Sequence, residues 1–132
     1  MPYAELQGEG VTVLDGQQRF TTISLLFCAF YSKLNAIPNP DRRLLVELDN
    51  LESRIFVRAT GQWRLEPSEQ AQNKADFQKV LSDLFPKQVK APKGLSYFGN
   101  RRIARAYTYF CERLDGLTQD QALALLEKLK AA

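Results

Sequence analysis

From Phe20 onward the chain carries an apolar pattern that only enclosure can satisfy. Phe20, Ile23, Phe27, Tyr31 and Leu34 recur at three- and four-residue intervals, and Leu26 and Phe30 widen the stripe. This spacing predicts a helix from about Gln17 to Leu34. A stripe this broad needs cover from several neighbours, so the helix is expected to be central. Pro38-Asn39-Pro40 ends it.

What precedes the helix is chemically dense. Val11–Leu14 reads as a short strand that stops at Asp15-Gly16, and Gln17-Gln18-Arg19 follows. A strand, a tight turn and a helix start leave backbone N–H groups unpaired and converging on one point, where an anion can sit. Arg19 adds a planar fork suited to phosphate oxygens. The same residues also have a local use. Asp15 can cap the helix with Gln18 reaching back as a capping box, and Arg19 can pair with a carboxylate. Capping needs two such groups, whereas Asp15 to Arg19 and the hydroxyls of Thr21 and Thr22 supply seven.

Phosphoryl transfer requires charge neutralisation, positioning and an oriented water. The candidate catalytic residues are therefore Asp15, Gln17, Gln18 and Arg19. Gly16, Gln17, Gln18, Arg19, Thr21 and Thr22 are the candidate phosphate and nucleotide contacts. Asp15 can carry a magnesium ion or order a water. Gln17 or Gln18 can orient that water, because an amide both donates and accepts. The motif has no Lys and no G-x-x-x-x-G-K-[ST] pattern, which excludes a P-loop.

Leu14-Asp15-Gly16-Gln17-Gln18-Arg19-Phe20-Thr21-Thr22 resembles the signature of the GmrSD-type restriction endonuclease N-terminal domain. That family's hallmark is Asp-Gly-Gln-Gln-Arg, an apolar residue and Thr-Thr. Its fold is related to ParB and sulfiredoxin, where a loop at a helix N-terminus holds nucleotide phosphates. A weaker likeness continues through Trp63-Arg64-Leu65-Glu66-Pro67-Ser68, Phe77, and the segment from Asn100 to Phe110 with Tyr107. The chain departs from the family at Gln70-Ala71-Gln72-Asn73, where an Asp often follows the Pro-Ser pair. The resemblance implies binding and hydrolysis of a nucleoside triphosphate with Mg2+. In full-length relatives this is coupled to cleavage of modified foreign DNA by a separate nuclease domain, an anti-phage activity. It also implies that residues 1–132 form a single, partial domain, because the family's domain begins well upstream of the motif. Activity is thus expected of the parent protein, and little of the isolated chain.

Beyond the first helix, Asp41 is placed to cap a helical segment through Leu51 with Leu44, Leu45 and Leu48 inward; a strand is the alternative. Ile55–Arg58 and Gln62–Leu65 flank Ala59-Thr60-Gly61 and read as a β-hairpin. Pro67-Ser68 opens a third helix, with Ala71, Ala75, Phe77, Leu81 and Leu84 inward, and Pro86 stops it. Residues Lys87–Ser96 read as a mobile basic loop. A fourth helix is predicted from about Phe98 to Asp115, with Ile103, Ala106, Tyr107, Phe110 and Leu114 inward, terminated by Gly116. Thr118-Gln-Asp-Gln121 is a capping-box start for a last helix with a Leu123, Leu126, Leu129 stripe. Residues 1–10 form an irregular or cloning-derived start. The expected class is α+β and predominantly α-helical: a helical bundle with a short N-terminal strand and one β-hairpin. Within the resemblance, this is a fragment of a ParB/sulfiredoxin-like domain.

Composition narrows the chemistry. The chain has no histidine, which excludes His-based triads, His–metal sites and an HNH nuclease within it. Cys28 and Cys111 sit in apolar helical patterns and read as reduced, buried thiols, so neither zinc nor haem is expected. The chain has no run of eighteen apolar residues, hence no membrane partner, and no leader pattern. A cytoplasmic location is the expectation. A formal charge of +3 is modest, but the cations cluster. Lys87, Lys90, Lys93, Arg101 and Arg102, with Arg105 beside them, define a candidate DNA-binding face. A phosphate-reading DNA-binding module without hydrolysis is therefore one alternative function. A helical interaction module pairing through the Leu123/Leu126/Leu129 stripe is another. Trp63, Tyr107, Tyr109 and Phe110 read as core rather than as stacking platforms.

Overall fold

A computed structural model describes residues 21–56, 71–92 and 102–131. Of these residues, 79% lie in five helices, and no strand occurs among them. The helices are α1 (21–35), α2 (Arg42–Ile55), α3 (Ala71–Leu84), α4 (Arg102–Asp115) and α5 (Gln119–Ala131). The predominantly helical class is thus observed. The Val11–Leu14 strand and the Gln62–Leu65 arm of the hairpin lie outside the described residues.

α1 is the hub. Phe27, Cys28, Ala29 and Phe30 are four consecutive buried residues, which is possible only where a helix is covered all round. On one side the Arg54 guanidinium of α2 lies 5.5 Å from the centre of the Phe27 ring. On another, Tyr31 meets Phe85, just beyond α3, with ring centres 4.6 Å apart. On a third, Ser32 is hydrogen-bonded to Tyr107 of α4, and Lys33 Nζ donates to the Asp115 carbonyl at 3.0 Å. The inward set differs from the predicted stripe in one respect. Leu25 is buried while Ile23 is 38% exposed, because the neighbours cover α1 from its second turn onward. After α1 the chain reverses through Asn39, whose φ of 53° is left-handed. Asn tolerates that region better than other non-glycine residues.

The α2 helix begins as its sequence dictates. Asp41 is extended, and its carboxylate accepts from the Leu44 amide at 2.8 Å. The strand alternative is thereby excluded. The helix runs four residues past Leu51, so Ile55 is helical and only Phe56 is extended, which corrects the start of the hairpin. Leu44, Leu51 and Ile55 are buried and Leu48 packs beside them. Leu45 points away and is 53% exposed, because the 44-48-51-55 stripe, not its flank, faces the core.

α3 buries Phe77, Val80 and Leu81 and packs directly on α4. Pro86 follows its end as expected. Phe85 then stacks edge-on against Phe56 at 4.9 Å as well as against Tyr31. The following segment is not a free loop over residues 87–92. Val89 is buried, Gln78 Nε2 donates to the Lys90 carbonyl at 2.7 Å, and Gln88 Nε2 donates to Glu52 at 2.8 Å. Backbone bonds from the Gln88 and Val89 amides to Phe85 form a turn that carries Val89 into the core.

α5 starts at a complete capping box. The Thr118 amide donates to Gln121 Oε1 at 3.0 Å, and the Gln121 amide donates to Thr118 Oγ1 at 3.2 Å. Leu123 and Leu126 are buried and Leu129 packs on the core, so the stripe proposed for pairing with another chain is used internally. Lys130 fastens the last turn. Its Nζ lies 3.1 Å from Glu47 of α2 and 2.9 Å from Glu127.

The α4–α5 junction yields two expected outcomes of opposite sign. Thr118→Ala removes half of the capping box and is expected to lower the unfolding free energy by ~1 kcal/mol. Gly116 has no left-handed φ, and a Cβ there meets nothing within 4 Å. Gly116→Ala is therefore expected to raise it by about 0.5 kcal/mol through the unfolded chain's entropy. Urea titrations of the two variants measure both.

Candidate functional site

The phosphate motif ends where the description of α1 begins. Asp15, Gly16, Gln17, Gln18 and Arg19 lie outside the described residues. Thr21 and Thr22 occupy the first described turn of α1, Thr21 half-buried and Thr22 exposed to solvent. One turn further on, the helix is enclosed by the core at Leu25. The segment bearing the motif therefore leads, in sequence, into a helix buried at Leu25 and from Phe27 to Phe30.

The two cysteines form a group with residues four positions away. Cys28 and Ser32 share a face of α1, and Tyr107 and Cys111 share a face of α4. Tyr107 is hydrogen-bonded to Ser32 and to Cys111. Cys28 is fully buried and Cys111 half-buried, both reduced, as expected. Burial is the main cause that raises all three acids. The Cys28 thiol is held far above its ordinary range, with nearby Cys111 adding to the effect. Cys111 is raised by burial despite a lowering contribution from its Tyr107 bond. The Tyr107 phenol is raised likewise, against a lowering contribution from Ser32. Thiols held neutral by burial are poor nucleophiles. Beside this cluster runs an open groove of about 340 Å³ lined by Ser32, Lys33, Ile37, Pro38, Cys111 and Asp115.

Asp76 was not anticipated. It lies on α3 beside Phe77 and is 1% exposed, the most buried acid described. It is engaged in an interaction rather than isolated, as a buried carboxylate must be. Its position between inward-facing Ala75 and Phe77 was the only sequence signal. Among the described residues no group of three or more Cys, Asp or Glu could hold a metal ion. Asp15, the expected magnesium ligand, is outside them.

The cationic candidates divide. Lys87 and Lys90 are exposed in the turn after α3, Arg102 is exposed at the start of α4, and Lys93 and Arg101 lie outside the described residues. Tyr107 and Phe110 pack against the core as expected. Tyr109 does not: it is 54% exposed, with the Arg113 guanidinium 5.9 Å from its ring centre. Asn100 and Trp63 also lie outside the described residues.

Comparison of the chain with protein-family models, with curated proteins and with solved structures finds no match. Among the described residues, no helix is long and apolar enough to cross a membrane.

The weakened acidity of the two thiols and the phenol carries a consequence for stability. Below about pH 9, the ordinary value for a cysteine here, both folded and unfolded chains keep the Cys28 proton. Above it the unfolded chain releases that proton while the folded chain retains it, so stability falls as pH rises. The limiting slope from Cys28 is ~1.4 kcal/mol per pH unit, and Cys111 and Tyr107 act in the same direction. Urea unfolding at pH 7, 9 and 10 is expected to show this fall, and Cys28→Ala to reduce it. Thiol labelling at pH 8 is expected to modify Cys111 well before Cys28.

Proposed function

We propose that this chain binds a nucleoside triphosphate by its phosphates at the amino end of α1. In this reading it is the nucleotide-binding, NTP-hydrolysing part of a modification-dependent restriction protein. The observation that carries the reading is the Asp15–Arg19 run, with Thr21 and Thr22, leading in sequence into a helix that is buried at Leu25 and from Phe27 to Phe30. Enclosure supports the reading physically. A phosphate site built on helix N–H groups works only if the helix cannot recede when negative charge arrives.

The roles follow from the residue types. The N–H groups from Gly16 to Gln18 and the Arg19 guanidinium hold phosphate oxygens, and the Thr22 hydroxyl adds a contact. Gln17 or Gln18 aligns the water that attacks the terminal phosphorus, releasing a nucleoside diphosphate and inorganic phosphate. Asp15 is assigned to the Mg2+ that accompanies the phosphates. The wider reading places these helices in a ParB/sulfiredoxin-like domain acting in the cytoplasm. Modified DNA and a separate nuclease domain are its partners through the full-length protein.

Isothermal titration with ATP, GTP, CTP and UTP, each with magnesium, tests the reading. Saturable binding of at least one is expected, abolished in Arg19→Ala with the melting temperature little changed. Absence of saturable heat with all four overturns it. So does unfolding of Arg19→Ala, which would make that side chain part of the scaffold.

A further inference from the structure

α4 carries its charge on one side. Arg102, Arg105, Tyr109 and Arg113 follow one another at spacings of three, four and four residues, so they share a single helix face. All four are exposed. Among the described residues, no carboxylate pairs with any of the three guanidinium groups. Within α4, Glu112 is the acid flanking this stripe, so three guanidinium groups stand against one carboxylate there. Asp115 faces the groove against α1 instead. The opposite face, with Ile103 and Leu114, is fixed in the core. The stripe from Arg102 to Arg113 is therefore a rigid ridge about 16 Å long at 1.5 Å per residue.

An exposed tyrosine set among arginines that make no ion pair with the described residues is an arrangement with specific chemistry. Guanidinium groups neutralise successive phosphates, and an aromatic ring offers a surface on which a base can lie. More than half of Tyr109 is open to solvent, and Arg113 beside it is placed to extend the stacking surface. A duplex keeps its bases stacked on one another and offers such a ring nothing. We propose that the outer face of α4 binds single-stranded nucleic acid, with Arg102, Arg105 and Arg113 on the phosphates and Tyr109 stacked on an unpaired base. This site is separate from the one proposed at the start of α1 and does not depend on it.

Fluorescence anisotropy with labelled dT20, rU20 and a 20-base-pair duplex, each at low salt, tests the proposal on the full chain. Binding of at least one single strand, tighter than the duplex, is expected; comparing the two strands identifies the sugar preferred. Tyr109→Ala is expected to weaken strand binding at least about fivefold, with Tyr109→Phe restoring it. Replacing all three arginines by Ala is expected to reduce the slope of log affinity against log salt by about 2. Circular dichroism confirms folding, which substitutions at exposed positions leave intact. The proposal fails if no strand binds, if Tyr109→Ala binds as well as the parent, or if the slope is unchanged. It also fails if polyglutamate competes as well as unlabelled dT20, since the face would then read an acidic polypeptide. Arg19→Ala is expected to bind strands normally, so this site and the triphosphate site fail independently.

Discussion

The enclosure of α1 governs the arrangement of everything else. Four successive buried positions, Phe27 to Phe30, require neighbours in every direction around one helix. α2, α4 and the turn beyond α3 each meet it through a specific contact: a guanidinium over Phe27, a phenol bonded to Ser32, and a ring against Tyr31. Such close packing leaves little room to adjust volume at the hub, and the peripheral elements inherit their positions from it. The same constraint gives the Asp15–Arg19 motif its interest, because it stands in sequence just ahead of this buried helical stretch.

Polar groups within the fold follow from their surroundings. Two thiols and a phenol sit between α1 and α4, where burial favours their protonated forms and Tyr107 is hydrogen-bonded to Ser32 and Cys111. No buried side-chain nitrogen or oxygen among the described residues lacks a partner. That completeness is what a settled core requires. Among the described residues, the polar groups open to solvent include the Thr22 hydroxyl, the arginine ridge of α4 and the groove beside Cys111.

Helix ends were the most readable part of the sequence, because capping is local chemistry. Asp41 and the Thr118–Gln121 pair announced two helix starts, and both make the bonds their residue types imply. Pro38-Asn39-Pro40 likewise marked a stop. Facing was less readable. Ile23, Leu45 and Tyr109 satisfy helical apolar spacing yet stand in solvent. Each lies on the flank of a stripe, and only the positions of neighbouring helices decide which flank is covered. Asp76 was invisible for the opposite reason, since a carboxylate amid apolar residues gives no sign of the partner that permits its burial. Of the phosphate motif, sequence alone supplies the residue types and spacing. The structure adds the two threonines and the buried helix that carries them.

The ties that close this bundle are made by residues far apart in the chain. Lys33 reaches the end of α4 across 82 residues, and Lys130 reaches α2 across 83. Helices form within microseconds, but contacts of this span must wait for long stretches of chain to be brought together. These contacts thus carry a loop-closure cost that the winding of a single helix does not.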